Sequence, residues 1–182
     1  MNRLLLAALA LAANAVAASA VLAAPAQVTA RDPAALRALV GRWGYQPGAL
    51  ETSSGGVPNF LVTIDEIATA VAFGGCTAGR NCTYVVFVST YDDVVNPPWE
   101  WLNARNNDYD LVAVSRADDG TLSVRGGVML GTQGISEALF HDLLRDWATT
   151  NHSIAREALD AHLATPEAAA VEGSIAPSAA RR

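Results

Sequence analysis

NPPWEWLNARNNDYDLVAVSRADDGTLSVRGGVMLGTQGISEALFHDLLRDWATT, residues 96–150, reads as helix, strand, turn, strand and helix. Asn96 is placed as a helix N-cap and Pro97 at the first helical position, where its missing N–H costs nothing. Trp99, Leu102 and Asn106 then share one helical face, and Trp101 and Arg105 another. Leu111–Val114 and Leu122–Val124 are strands joined across Asp118-Asp119-Gly120, because Asp-Gly supplies a favoured hairpin turn. Gly126-Gly127 marks a bulge or a close approach, and Val128-Met129-Leu130 continues the strand. Ser136 caps the last helix, with Glu137 favourably placed in its first turn. Phe140, Leu143, Leu144 and Trp147 form its buried stripe. Ile154, Ala158 and Leu159 carry a second helical segment to Leu163.

Upstream, the chain supplies strands and one helix that complete this sheet. Asp32-Pro33 opens the helix, with Leu36, Leu39, Val40 and Trp43 at helical spacing and Gly44 as its stop. Tyr45–Leu50 is expected as a first strand, followed by a polar turn over residues 51–58. The run NFLVTIDEIATAVAF, residues 59–73, carries dense β signal, with Asp65-Glu66 at a tight turn. Gly74-Gly75 ends it, and TYVVFVSTY, residues 83–91, is the return strand of a hairpin.

Cys76 and Cys82 flank the loop of that hairpin and are the only cysteines. In an exported chain they read as one structural disulfide, contributing about 2 kcal/mol by shortening the unfolded loop. A redox motif wants two intervening residues rather than five, and no histidine stands close enough in sequence to complete a metal site.

The 182-residue chain is long enough for one domain with a real core. Residues 1–26 read as a signal peptide: Met1-Asn2-Arg3 is a positive start, Leu4–Ala18 an apolar run, and Ala18-Ser19-Ala20 and Ala24-Pro25-Ala26 small-residue cleavage signals. Cleavage is placed after Ala26, with Ala20 as the second site. Residues 27–164 form a single α+β domain and 165–182 a disordered Ala/Pro-rich tail. The formal net charge is −6, and every basic residue is an arginine. An acidic chain without a basic stripe argues against nucleic acid and anionic membranes, and no segment beyond the leader is apolar enough for stable membrane insertion. The expected location is periplasmic or secreted.

The ordered set of elements resembles the exported branch of the YbjN-domain family. The residues that carry this are Gly75-Cys76 to Cys82-Thr83-Tyr84-Val85-Val86-Phe87, the Trp/Asn-containing helix, Asp119-Gly120, the strand ending in Met129-Leu130, and Gly134-Ile135-Ser136 before a helix with Leu144 and Trp147. The resemblance spans Asp32 to Thr150. Where the family has adjacent Trp-Asn, this chain has Leu102-Asn103 with Trp99 and Trp101 just before it. The resemblance implies an antiparallel β-sheet with helices packed on one face, like the type III secretion chaperone fold. It also implies a regulatory role without chemistry or cofactor.

No catalytic or metal constellation emerges from the residues, and no cofactor is expected. His141, His152 and His162 are never three or four apart, so they share no helical metal face. The acidic pairs Asp65/Glu66, Asp92/Asp93 and Asp118/Asp119 read as turn residues, since neighbours on a strand point to opposite faces. The glycines of GGVMLGTQG fit neither a phosphate loop nor a dinucleotide fingerprint. Two sequons occur, at Asn81 and Asn151. Trp99 and Trp101 stand about 200° apart on a helix, so both cannot face the core squarely. With Asn103 and Arg105 they are the candidate partner-binding residues, because exposed tryptophan favours interfaces. The expected function is a non-enzymatic domain binding a protein or peptide partner, and a homodimer is compatible with it. The alternatives are a small-molecule or glycan binder, and an uncharacterised hydrolase that would need a convergent acidic or histidine site.

Overall fold

A computed structural model describes residues 27–163 of the chain; the expected leader and tail lie outside them. The elements are β1 (Gln27–Val28), α1 (Pro33–Arg42), β2 (Glu51–Thr52), β3 (Pro58–Ile64), β4 (Ile67–Gly74), β5 (Tyr84–Val95), α2 (Trp99–Asp108), β6 (Val112–Arg116), β7 (Thr121–Met129), β8 (Ile135–Ser136) and α3 (Glu137–Leu163). Strands β2 to β7 make one six-stranded antiparallel sheet in the order β2-β3-β4-β5-β7-β6. β1 and β8 pair separately as a short antiparallel ribbon. The fold is α+β, as the sequence implies.

One face of the sheet is the core. Phe60, Val62, Val71, Phe73, Val85, Phe87, Leu122 and Val124 are all buried in one cluster with Leu36 and Val40 of α1, Leu102 of α2 and Phe140, Leu144 and Trp147 of α3. Phe87 is the pivot, with ring centroids 6.2 Å from Phe140 and 5.5 Å from Trp147 in tilted arrangements that aromatic pairs favour.

The local signals act where expected at several ends. Asp32 Oδ1 accepts from the Ala34 and Ala35 N–H groups, and Ser136 Oγ accepts from the Leu139 N–H. Asp65 and Glu66 form the β3–β4 turn with both φ values positive. The Cys76–Cys82 bond is formed, with Cys82 fully buried. It closes a loop tied back to the start of α1 by the Asn81 N–H, which donates to the Arg31 carbonyl.

Four expectations are corrected. Residues 45–50 form no strand: Gly48 N–H donates to the Leu61 carbonyl at the edge of β3, and Arg37 donates to the Gly48 and Pro47 carbonyls, so this segment is a loop strapped over a sheet edge. Asn96 is not a cap. It sits at φ 52 with its N–H on the Gly120 carbonyl, and α2 starts after Pro98 with no side-chain cap. The strand before it runs on to Val95 past an irregularity after Tyr91. The two expected C-terminal helical segments are one continuous α3, whose buried face runs on past the polar Asn151 to Ile154 and Ala158.

Candidate functional site

The four expected partner-binding residues all lie on or beside α2, but they do not form one patch. Trp101 is half-buried against the core, with the Arg105 guanidinium 6.0 Å from its ring centroid. Arg105 pairs with Asp108 at 2.8 Å and with Glu157 of α3, and Tyr109 Oη also donates to Glu157. Those two residues dock α2 onto α3. Trp99, on the other side, is 59% exposed, and Arg116 stacks 4.4 Å over its ring while donating to the Pro97 carbonyl. Asn103 is exposed. The α2 residue with the clearest task is Asn106: its side chain accepts from the Val114 N–H at 2.7 Å and donates to the Val114 carbonyl at 3.0 Å. It thus pairs with the outer edge of β6 as a neighbouring strand would.

The histidines are likewise separated. His141 stacks 4.6 Å from the Trp43 ring, and His152 is exposed near Asp65 and Glu66. The side chain of His162 lies outside the described residues. The Asp119 carboxyl accepts from the Thr121 N–H and hydroxyl, which holds it below its ordinary range, as befits a turn residue. Of the two sequons, Asn151 is fully buried: it accepts from Tyr91 Oη at 2.8 Å and donates to Ser89 Oγ at 3.0 Å. Burial pushes the Tyr91 hydroxyl up to about 12.

What the sequence reading missed is the other face of the sheet. The register places Leu61, Ala70, Ala72, Val86, Val88 and Met129 on the side opposite the core, and no described helix lies over them, since α1, α2 and α3 all pack on the core side. The ring of Tyr84 lies across Gly74 on this face, where a Cβ would be 2.0 Å from it. The turn at Gly55–Val57 and the disulfide loop at Ala78–Gly79 rise as walls, and the trough between them measures about 660 Å³. Arg125 stands at its far end, and it is the charged side chain among the outward positions that pair across β3, β4, β5 and β7. The trough's chemistry is recognition: an apolar floor takes an apolar surface, and Arg125 takes an anionic group. A signal for it existed. YVVFV and TAVAF are apolar at both parities, whereas an antiparallel strand with one wet face alternates.

A family model described as "Putative bacterial sensory transduction regulator" matches residues 32–160. Among solved structures, YbjN from E. coli, described as a "putative transcription regulator", is similar at 15% identity and a TM-score of 0.49, over 75% of this chain and 94% of that one. The Yersinia pestis type III secretion chaperone SycH, solved with a stable fragment of YscM2, is similar at 14% identity and a TM-score of 0.39, over 70% of this chain and 96% of that one. No curated protein sequence matches the chain.

Proposed function

The chain belongs to the YbjN family, and we propose that it is a non-enzymatic regulatory domain of the periplasm or extracellular space that works by binding a protein or peptide partner. The observation that carries this is the uncovered sheet face: outward valines and alanines on the central strands, a trough of about 660 Å³, and Arg125 as its one charge. Strands that are apolar on both faces reach their lowest free energy with both faces out of water, and about 25 cal/mol is gained per Å² of apolar surface covered. A contiguous apolar patch of this kind marks a contact surface. The partner is accordingly a polypeptide with an apolar surface and a carboxylate placed to meet Arg125.

The leader-like residues 1–26 support the location, as does the Cys76–Cys82 bond, because such bonds persist in oxidising compartments. The test is capture of envelope proteins by mild cross-linking on the folded protein and on Val88→Asp, with Trp99→Ala beside them. A partner held by the protein and by Trp99→Ala but lost from a folded Val88→Asp supports the reading. A partner lost from Trp99→Ala alone moves the site to α2, and recovery of nothing by any of the three sinks the proposal.

A further inference from the structure

Strand β7 is longer than its outer neighbour. β6 begins at Val112 opposite Gly126, so Val128 and Met129 have no strand beside them on that side. The direction of the free groups follows from the register. Val114 turns its N–H and carbonyl outward to Asn106, so its partner Val124 bonds towards β5. Peptide groups alternate along a strand, and Leu130 N–H indeed donates to Thr83 on the β5 side. Met129, of opposite parity, therefore turns its N–H and carbonyl to the side that β6 has vacated. Asn106 occupies the β6 edge at Val114, and no strand pairs with β7 at Val128 and Met129 on that side.

Behind the open end lies a cavity of about 80 Å³ between β7 and α3, walled by Phe87, Val128, Leu143 and Trp147, with Leu111 and Asp146 at its mouth. Trp147 is 95% buried by its 5% exposure, and its Nε1–H has no acceptor. An orphaned buried donor is costly, and an acceptor supplied from outside removes the cost. Leu111, at 74% the most exposed large apolar side chain of the described residues, stands beside this cavity, while the Met129 side chain, 72% exposed, lies on the opposite face of β7. Asp146 has no ion-pair partner among the described residues.

We propose that this open end of β7 is a docking groove for an extended peptide of the partner, added as a strand beside Val128–Met129. The peptide places a small aliphatic side chain against Phe87, Leu143 and Trp147. It brings an acceptor oxygen to the Trp147 indole, and an Arg or Lys to Asp146. Strand addition supplies affinity through the main chain and specificity through alternate side chains, which matches a site with one free backbone pair, one small pocket and one free carboxylate. The inference rests on the partner-binding reading but uses a different surface from the Arg125 trough.

The experiment titrates the 15N-labelled protein with the capped heptapeptide Thr-Arg-Val-Val-Val-Arg-Thr to about 1 mM. The expected result is a shift of the Trp147 indole N–H and of the Gly127–Met129 and Leu143 amides. Asp146→Arg, an exposed change, should weaken binding about fivefold. Met129→Pro removes the free donor while leaving pairing with β5, and should weaken it about fivefold too, whereas Met129→Leu should not. Absence of any shift, or shifts confined to the Arg125 trough, overturns the groove and leaves the capture result for Val88→Asp standing by itself. If deleting residues 164–182 alone reproduces the indole shift in reverse, the occupant is the chain's own tail and the partner peptide is wrong. If Met129→Pro dissociates a dimer, the occupant is a second copy, with the same consequence.

Discussion

Val86 and Phe87 are neighbours on β5 and live in different worlds. Phe87 points to the core, is 1% exposed, and touches Phe140 and Trp147. Val86 points the other way, onto a floor that no described element covers. The same contrast repeats at Gly126 and Gly127 on β7. A Cβ at Gly126 would stand 2.3 Å from Trp147 Cδ1, whereas at Gly127 its nearest neighbour would be the Val85 carbonyl at 3.6 Å. One face of this sheet is finished; the other is apolar and waiting.

The difference is sharpest in stability. Phe87→Ala should cost about 3–5 kcal/mol in a denaturant titration, because it empties the centre of the aromatic cluster. A loss below about 1 kcal/mol would mean that the core is centred elsewhere. Gly126→Ala should cost about 1–3 kcal/mol, since the indole it strikes is buried and packed against Phe87. Gly127→Ala should be neutral within about 0.5 kcal/mol. Equal effects at the two glycines would break the two-face description.

The core face also holds a polar knot that joins β4 and β5 to α3. Ser89 Oγ donates to the Ala68 carbonyl at 2.8 Å, lies 3.3 Å from Thr69 Oγ1, and accepts from Asn151, which in turn holds Tyr91. Asn151→Ala should cost about 1–3 kcal/mol by stranding Ser89 and Tyr91. The pH dependence follows from Tyr91. Burial raises its folded value to about 12 from 10.0, so above pH 10 the unfolded chain releases a proton that the folded chain keeps. Stability is therefore complete below pH 10 and falls between pH 10 and 12. Tyr91→Phe should flatten that fall in thermal melts taken across the window.

Much of this was legible in residues 96–150. The Asp-Gly turn, the Ser136 cap and the Phe140–Trp147 stripe each act through short-range chemistry that a sequence displays. Tyr45–Leu50 misled because this segment is a strap over the β3 edge, held by the Gly48 N–H on Leu61 and by the Arg37 bonds made from α1, long-range contacts that local sequence does not display. Asn96 misled because a capping residue and a left-handed turn residue share the same chemistry; the Gly120 carbonyl decides between them. Trp99 and Trp101 drew the eye as a pair, yet Trp101 is a packing residue and Trp99 already has Arg116 over it. The outward face was written in the missing alternation of YVVFV, a negative signal that reads as ordinary β content unless the parity is followed.

The smallest expected effect tests the comparison hardest. Val86→Thr keeps the β-branched shape on an uncovered strand position and should change stability by less than about 0.5 kcal/mol. Were Val86 merely another core residue, the buried hydroxyl would cost about 1–3 kcal/mol instead. The same substitution puts a hydroxyl on the floor of the trough, so affinity for the captured partner should fall although the free protein is unchanged. A change felt in the complex and not in the free protein separates a surface built to be covered from one built to be packed. If Val86→Thr binds as the original does, the apolar floor has no contact to lose and the trough is not where the partner sits.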